Sequence, residues 1–180
     1  MTDARKLHAA LAVVVLLGLL VAAMAYKFIV AGSTAESKDG RVVILLEPAE
    51  RAFVLGEMRA FLSGVQRLSE ALASEDHARV AKLARELGSD PESGVAVALM
   101  GKLPLEFKTL GLAVHADFNR MAKEAEAKAA PRDLLRQLGT TLQKCVACHE
   151  HYQFAAPPAK QPAPGAASAG PGTAGLLARK

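Results

Sequence analysis

The chain has 180 residues, 51% of them hydrophobic, and a formal net charge of +4 at pH 7. The length suits one domain with appendages, and with no Trp and aromatics at 4% a core must be built from Leu, Ala and Val, which suits helices. The mild charge includes no basic cluster, aromatic-interleaved patch or zinc-finger spacing, so nothing points to a nucleic-acid partner.

The first element is apolar. Leu7 to Val30 gives 24 nearly continuous apolar positions, interrupted mainly by His8 and Lys27, against roughly 20 needed to span a bilayer as a helix. Arg5 and Lys6 precede it, so the positive-inside tendency keeps the N-terminus cytoplasmic and exports the rest. Ala23-Met24-Ala25 has the small-x-small form of a signal-peptide cleavage site, so cleavage and release is the alternative. The length of the run, continued by Phe28-Ile29-Val30 beyond Lys27, favours an uncleaved anchor. Residues 1–31 are therefore read as an anchor or signal segment, crossing the inner membrane at 7–30. The remaining chain is expected outside the cytoplasm, which in a bacterium is the periplasm.

Residues 32–46 are read as a linker. Ala31 to Gly40 is small and polar. Arg41 to Leu46 is β-prone, but a strand would have no partner in an otherwise helical chain, so an extended lead-in that packs along the domain is expected.

Four helices are expected over residues 47–154. The first spans about Pro48 to Ala73, with Pro48 suited to a first turn. Its apolar residues Val54, Met58, Phe61, Val65, Leu68 and Leu72 alternate spacings of four and three, the seam of a bundle. The second runs from Ser74, a candidate N-cap, to Leu87, with Gly88 as its stop and Val80, Leu83, Ala84 and Leu87 as its seam. Ser89 to Gly94 is turn material, and Val95 to Met100 leads into a third helix over Leu103 to Ala129. There Phe107, Leu110, Val114, Phe118 and Met121 repeat the spacing. The fourth begins near Pro131 and carries Leu134, Leu135, Leu138, Leu142, Cys145, His149 and Tyr152 along one side. The expected fold is all-α, an antiparallel four-helix bundle behind one transmembrane helix. Residues 155–180 form a Pro/Ala/Gly tail that cannot bury a core and is expected to be disordered.

The chemistry lies near the end of the fourth helix. Cys145-Val146-Ala147-Cys148-His149 has the Cys-x-x-Cys-His form of covalent haem attachment, and it uses the only two cysteines in the chain. Each thiol adds across one haem vinyl group to form a thioether, and the next residue gives an imidazole nitrogen to the iron. Positions three and four apart share one helix face, so Cys145, Cys148 and His149 point at one flat ligand. A redox Cys-x-x-Cys normally follows a strand at a helix start in an α/β unit, which is absent from this pattern. Zinc bound by Cys145, Cys148, His149 and His151 is the other alternative, but a closed zinc site draws on a second ligand pair some distance away, and His8, His77 and His115 are scattered singly. Haem c is the preferred cofactor, one per chain.

An iron held by His149 has a second axial position, and methionine there raises its potential whereas an open face admits gas. Met58 on the first helix is the candidate distal ligand, with core packing as its plainer role. Leu55 and Leu62 flank it on nearly the same face and are candidates to cover the distal haem face without ligating. Met121 is a weaker candidate ligand. Arg51 and Arg59 are the candidate propionate contacts, since guanidinium suits carboxylate. His115 is expected to be a partly buried structural or a surface histidine, His77 exposed, and His151 at the haem edge or in solvent.

With these residues the chain resembles the cytochrome c′ family over roughly residues 47 to 154. The similarity rests on Cys145-x-x-Cys148-His149 at the end of the last of four helices, the Leu103-Pro104 entry to the third helix, and the Arg-plus-Met/Leu pattern on the first. It implies thioethers at Cys145 and Cys148, a proximal His149 and a distal residue from the first helix. Family members are often five-coordinate and bind nitric oxide or carbon monoxide, and others are low-spin with methionine. Three features depart from the family: the N-terminal anchor, the Pro/Ala tail, and Gln153 in place of the basic residue that usually follows the haem histidine by four positions.

The expected function is a periplasmic, membrane-tethered c-type cytochrome that passes single electrons to membrane or periplasmic redox proteins. A five-coordinate gas-binding haem protein is the alternative, and a haem-free zinc or interaction module the second. No acid/base pair or nucleophile constellation is legible, so the chain is not expected to be an enzyme. A helix-packed homodimer is compatible with the chain but has no specific signal.

Overall fold

The structure, a computed structural model, describes residues 2–88 and 97–158. The chain is mostly helical. Helix α1 (Thr2–Ala25) passes into a wide π-helical segment (Tyr26–Ala31), followed by strands β1 (Thr34–Glu36) and β2 (Val42–Leu45). Helices α2 (Pro48–Ala73), α3 (His77–Gly88), α4 (Val97–Lys102), α5 (Leu105–Glu126) and α6 (Pro131–His151) then lead to strand β3 (Tyr152–Ala155). The turn expected at Ser89–Gly94 and most of the expected disordered tail, from residue 159, lie outside the described residues.

Local chemistry sets the helix ends. Pro48 and Pro131 occupy first turns, where a missing N–H is not needed. Glu47 and Glu50 form a reciprocal capping box, with Glu50 Oε2 accepting the Glu47 N–H at 2.8 Å. Ser74 ends α2 rather than starting α3, because its hydroxyl turns back to the Glu70 carbonyl at 3.0 Å. Asp76 starts α3 instead, its Oδ1 accepting the Arg79 N–H at 2.9 Å. The expected third helix is divided. Pro104 is extended at ψ 152° and disfavours helix in Leu103 before it, so α4 and α5 are separate.

A large core lies between α2, α3, α5 and α6. Leu68 and Leu72 of α2 meet Val80, Leu83 and Ala84 of α3, Phe118, Met121, Ala122 and Ala125 of α5, and Leu134 and Leu138 of α6. The four-three seams expected on α2, α3 and α5 are thus the faces that pack. The seam on α6 is rotated by one residue. Thr141 is fully buried while Leu142 is 36% exposed and Leu135 56% exposed. Thr141 is tolerated there because its hydroxyl lies 3.1 Å from the Gln137 carbonyl and 3.3 Å from Asp117 Oδ2. Asp117 is itself buried, and its carboxylate also accepts from Arg120 at 2.7 Å and from Lys144.

A second, smaller core corrects the expectation for residues 32–46. Arg41–Leu46 does find partners: β2 pairs antiparallel with β1, and parallel with β3, the stretch that follows α6. The register places Val42 opposite Tyr152 and Leu45 opposite Ala155. Ile44 and Leu46 are fully buried with Val54, Leu99, Leu103, Phe107 and Tyr152. The supposed linker therefore builds a wall of the domain, because the chain on either side of the helices supplies the missing strands.

Ala4–Ala31 is long and apolar enough to cross a membrane or serve as a signal sequence, and its side chains from Ala4 to Val30 are exposed. Its end rests on the domain: Lys108 Nζ donates to the Ile29 carbonyl at 2.9 Å, and the Ser33 N–H to the Lys102 carbonyl at 2.7 Å.

Two stability outcomes are expected. Asp117→Ala removes a buried carboxylate that accepts from Thr141, from half-buried Lys144 and from exposed Arg120. Hydrogen bonds to a charged group contribute about 1.5–3 kcal/mol, less where the partner is exposed, so a loss of about 2 kcal/mol is expected. That loss is read as a lower urea midpoint at unchanged slope, and an unchanged midpoint would mean that the network is solvated. Glu50 joins α2 to α4, its two carboxylate oxygens each 2.7 Å from Lys102 Nζ, and that ammonium holds its carboxyl below the usual range. A depressed carboxylate stabilises above its unfolded value of about 4.3 and loses that contribution as pH falls through the folded value. The stability deficit of Glu50→Gln should therefore be present at neutral pH and vanish in acid, as measured by denaturation across pH.

Candidate cofactor site

The site is built on the last turns of α6. Along that helix and into β3, the buried and half-buried side chains include Leu134, Leu138, Thr141, Cys145, Cys148 and Tyr152, spaced alternately by four and three. Both cysteines thus lie on the packed seam, half-buried and unbridged. His149 is one position off that seam, exposed, and within one turn of both thiols. The Cys145 thiol faces the Thr141 carbonyl at 3.9 Å.

Burial pushes the Cys145 thiol up, and burial together with neighbouring Cys145 pushes Cys148 to about 11. A redox dithiol needs the opposite, a thiolate stabilised at neutral pH. These side chains are instead protonated, apolar-facing thiols at the C-terminal end of a long helix. Among the described residues no group of three or more His, Cys, Asp or Glu side chains is placed to hold a metal ion. The donor set of a closed zinc site is therefore not assembled among the described residues. Covalent haem needs less: two free thiols three apart and an imidazole at the next position, all on one helix end. The residues present fit that group.

The wall beside Cys148 is the small core. Cys148 and Met58 are both partly buried side chains packed against it, with Val42 and Phe154. Leu55 is half-buried and Leu62 is 72% exposed, and neither joins either core. Of the three first-helix candidates, Met58 alone shares a cluster with a motif cysteine. Met121 is fully buried in the large core. Phe107 packs edge-on against Tyr152 at 5.4 Å and Phe154 at 5.7 Å. The Tyr152 hydroxyl donates to Glu106 at 3.4 Å, and burial with that carboxylate raises its pKa.

Arg51 reaches this end of the molecule, with Nε 3.5 Å from the Phe154 carbonyl. Arg59 is exposed on α2. Gln153, where the family resemblance leads one to expect a cation, accepts from the Arg41 guanidinium at 3.2 Å. His115 is half-buried, donating from Nδ1 to the Leu87 carbonyl at 3.0 Å and lying 5.1 Å from the Phe61 ring. His77 is half-buried rather than exposed, with Nε2 2.9 Å from the Ala129 carbonyl. His151 is exposed and lies edge-on to Tyr152.

No protein-family model, curated protein or solved structure matches the chain. The site therefore stands on its own geometry. The sequence places Tyr152 on the motif's side of the last helix, but Phe154, Arg41 and Ile44 were missed as neighbours of the site. The available signal was a second short run, Tyr152-Gln153-Phe154-Ala155, able to pair with the β-prone 41–46.

The thiols provide a direct check. In cofactor-free chain, alkylation of Cys148 by iodoacetamide should be slow at neutral pH and rise with an inflection near 11, against about 8.5 for a free thiol. Burial favours the neutral form, so the shift is upward. Fast alkylation at neutral pH would mean an exposed, activated thiol.

Proposed function

We propose that the chain is a membrane-tethered c-type cytochrome of the cytochrome c′ kind, a four-helix bundle with one haem c covalently held by Cys145 and Cys148. In this reading His149 is the proximal iron ligand, Met58 the distal ligand, and the protein passes single electrons to redox proteins at the periplasmic face of the inner membrane. The observation that carries it is the packing of Met58, from α2, and Cys148, from α6, against the same small core. A haem held by Cys145 and Cys148 would lie beside that core, where Met58 is the sulfur side chain of α2 available to the iron.

The bound haem supplies a one-electron couple, whose potential methionine ligation raises. The chain's own residues do the rest. Val54, Phe107 and Tyr152 are buried beside the motif and keep water from that side of the site. Arg51, near the Phe154 carbonyl, and the exposed Arg59 are the guanidinium groups available to propionates. No acid, base or nucleophile is assigned, because electron transfer requires none.

The test is a visible spectrum of the full chain, exported with haem-attachment machinery and purified in detergent, recorded oxidised, reduced and under carbon monoxide. The expected result is a low-spin ferric spectrum with the long-wavelength charge-transfer band of a methionine–iron bond and little response to carbon monoxide. Met58→Ala should abolish that band, turn the iron high-spin and open it to carbon monoxide. A wild-type protein that is already high-spin and carbon-monoxide-sensitive would make gas binding the function and Met58 a packing residue, with Leu55 the remaining distal cover. Free thiols and no covalent haem would leave the zinc or interaction module.

A further inference from the structure

We propose that the corner formed by α4 and the first turn of α5 seats on the outer face of the bilayer, with Val97, Met100 and Leu105 entering the boundary between headgroups and acyl chains. The inference rests on the reading of α1 as an uncleaved membrane anchor and adds the orientation of the domain it carries.

The first argument is length. The apolar helical run Ala4–Ala31 has 28 residues, while a hydrocarbon core of about 30 Å takes roughly 20. With Arg5 and Lys6 on the cytoplasmic side, the surplus places Tyr26–Ala31 at the outer headgroups. The chemistry there agrees. Tyr26 is a belt aromatic, and Lys27 turns its ammonium forward to the Gly32 carbonyl at 2.6 Å, away from the acyl chains.

The second argument is rigidity. This segment does not hang on a flexible tether. The Phe28 ring lies on Gly101, where a Cβ would come within 2.6 Å of Phe28 Cδ1. Gly32, at φ 66°, lies so close to the start of α5 that a Cβ would meet the Pro104 nitrogen at 2.7 Å. Lys108 closes the contact by donating to the Ile29 carbonyl at 2.9 Å. The height of α4 above the membrane is thereby tied to that of Phe28 and Ile29.

The third argument is which side chains that height exposes. Leu99 and Leu103 turn inward, at 4% and 7% exposure, while Val97, Met100 and Leu105 stand out at 88%, 36% and 43%. An apolar surface continuous with the end of an apolar span is covered when it meets lipid, and such burial stabilises by about 25 cal/mol per Å². Because Leu99 and Leu103 belong to the same core as Met58 and Cys148, the seating holds the cofactor end of the domain close to the bilayer.

The test uses full-length holoprotein in phosphatidylcholine nanodiscs doped with a phosphatidylcholine carrying a diazirine near the glycerol end of one acyl chain. After illumination, adducts are mapped by mass spectrometry. Adducts within residues 4–31 and also within 97–105 are expected, and the double variant Met100→Glu, Leu105→Glu should lose the second set while keeping the first. Both side chains point outward, so the variant should retain the wild-type visible spectrum. Adducts confined to residues 4–31 would overturn the seating and leave the anchor standing. Adducts in neither region, with the protein free of the discs, would overturn the anchor and the seating with it.

Discussion

The parallel pairing of Tyr152–Ala155 with Val42–Leu45 holds together the end of the molecule that carries Cys145, Cys148 and His149. A parallel pair needs a crossover connection, and here the whole set of helices from α2 to α6 is that crossover. Closure entropy grows only slowly with loop length, by about 0.6 kcal/mol for each doubling, so so distant a pairing is affordable when the strands bury enough. They do: Ile44 and Leu46 are fully buried and Tyr152 nearly so, each such side chain contributing about 1.5–3 kcal/mol. The pairing also stops α6. The chain must turn extended at Tyr152, at ψ 152°, and this leaves Cys148 and His149 in the last turn of the helix, beside the core that the strands create.

Two cores of different character follow from this arrangement. The large one joins α2, α3, α5 and α6 through regular seams. The small one gathers residues 44–46, 54, 99–107 and 152, segments far apart in sequence. Met58 and Cys148 lean on the second. A site made this way is positioned by long-range assembly, whereas the thiols and imidazole of the motif are spaced by the helix alone. The motif is therefore local chemistry, and the small core beside it is a tertiary product.

That division explains what could be read from the residues. The α2 helix was legible to its ends, because Pro48 and a four-three apolar seam are local signals. The motif was legible for the same reason. The α6 seam was misread by one position because Leu outranks Thr as a core residue on its own, while Thr141 is paired by Asp117, 24 residues away in sequence. Ser74 looked like a helix start because Ser caps helices, yet its hydroxyl serves the helix behind it, and Asp76 takes the cap. The strands were missed because β-propensity in a short run says nothing about a partner more than 100 residues away. Met58 was singled out on seam position, and what separates it from Leu55 and Leu62, its place against the small core, exists only in three dimensions.

The replacement of a linker by strands and a docked helical end changes what a tether does. A flexible tether raises the effective concentration of a domain everywhere within its reach. A tether whose last turn is fixed to α4 and α5 by Lys108 and Ser33 allows few orientations. Such a tether trades range for alignment. The end fixed by the strands and by α4 is the one that carries Cys145, Cys148 and His149. The same backbone that shapes the small core therefore also sets the direction in which the candidate site faces.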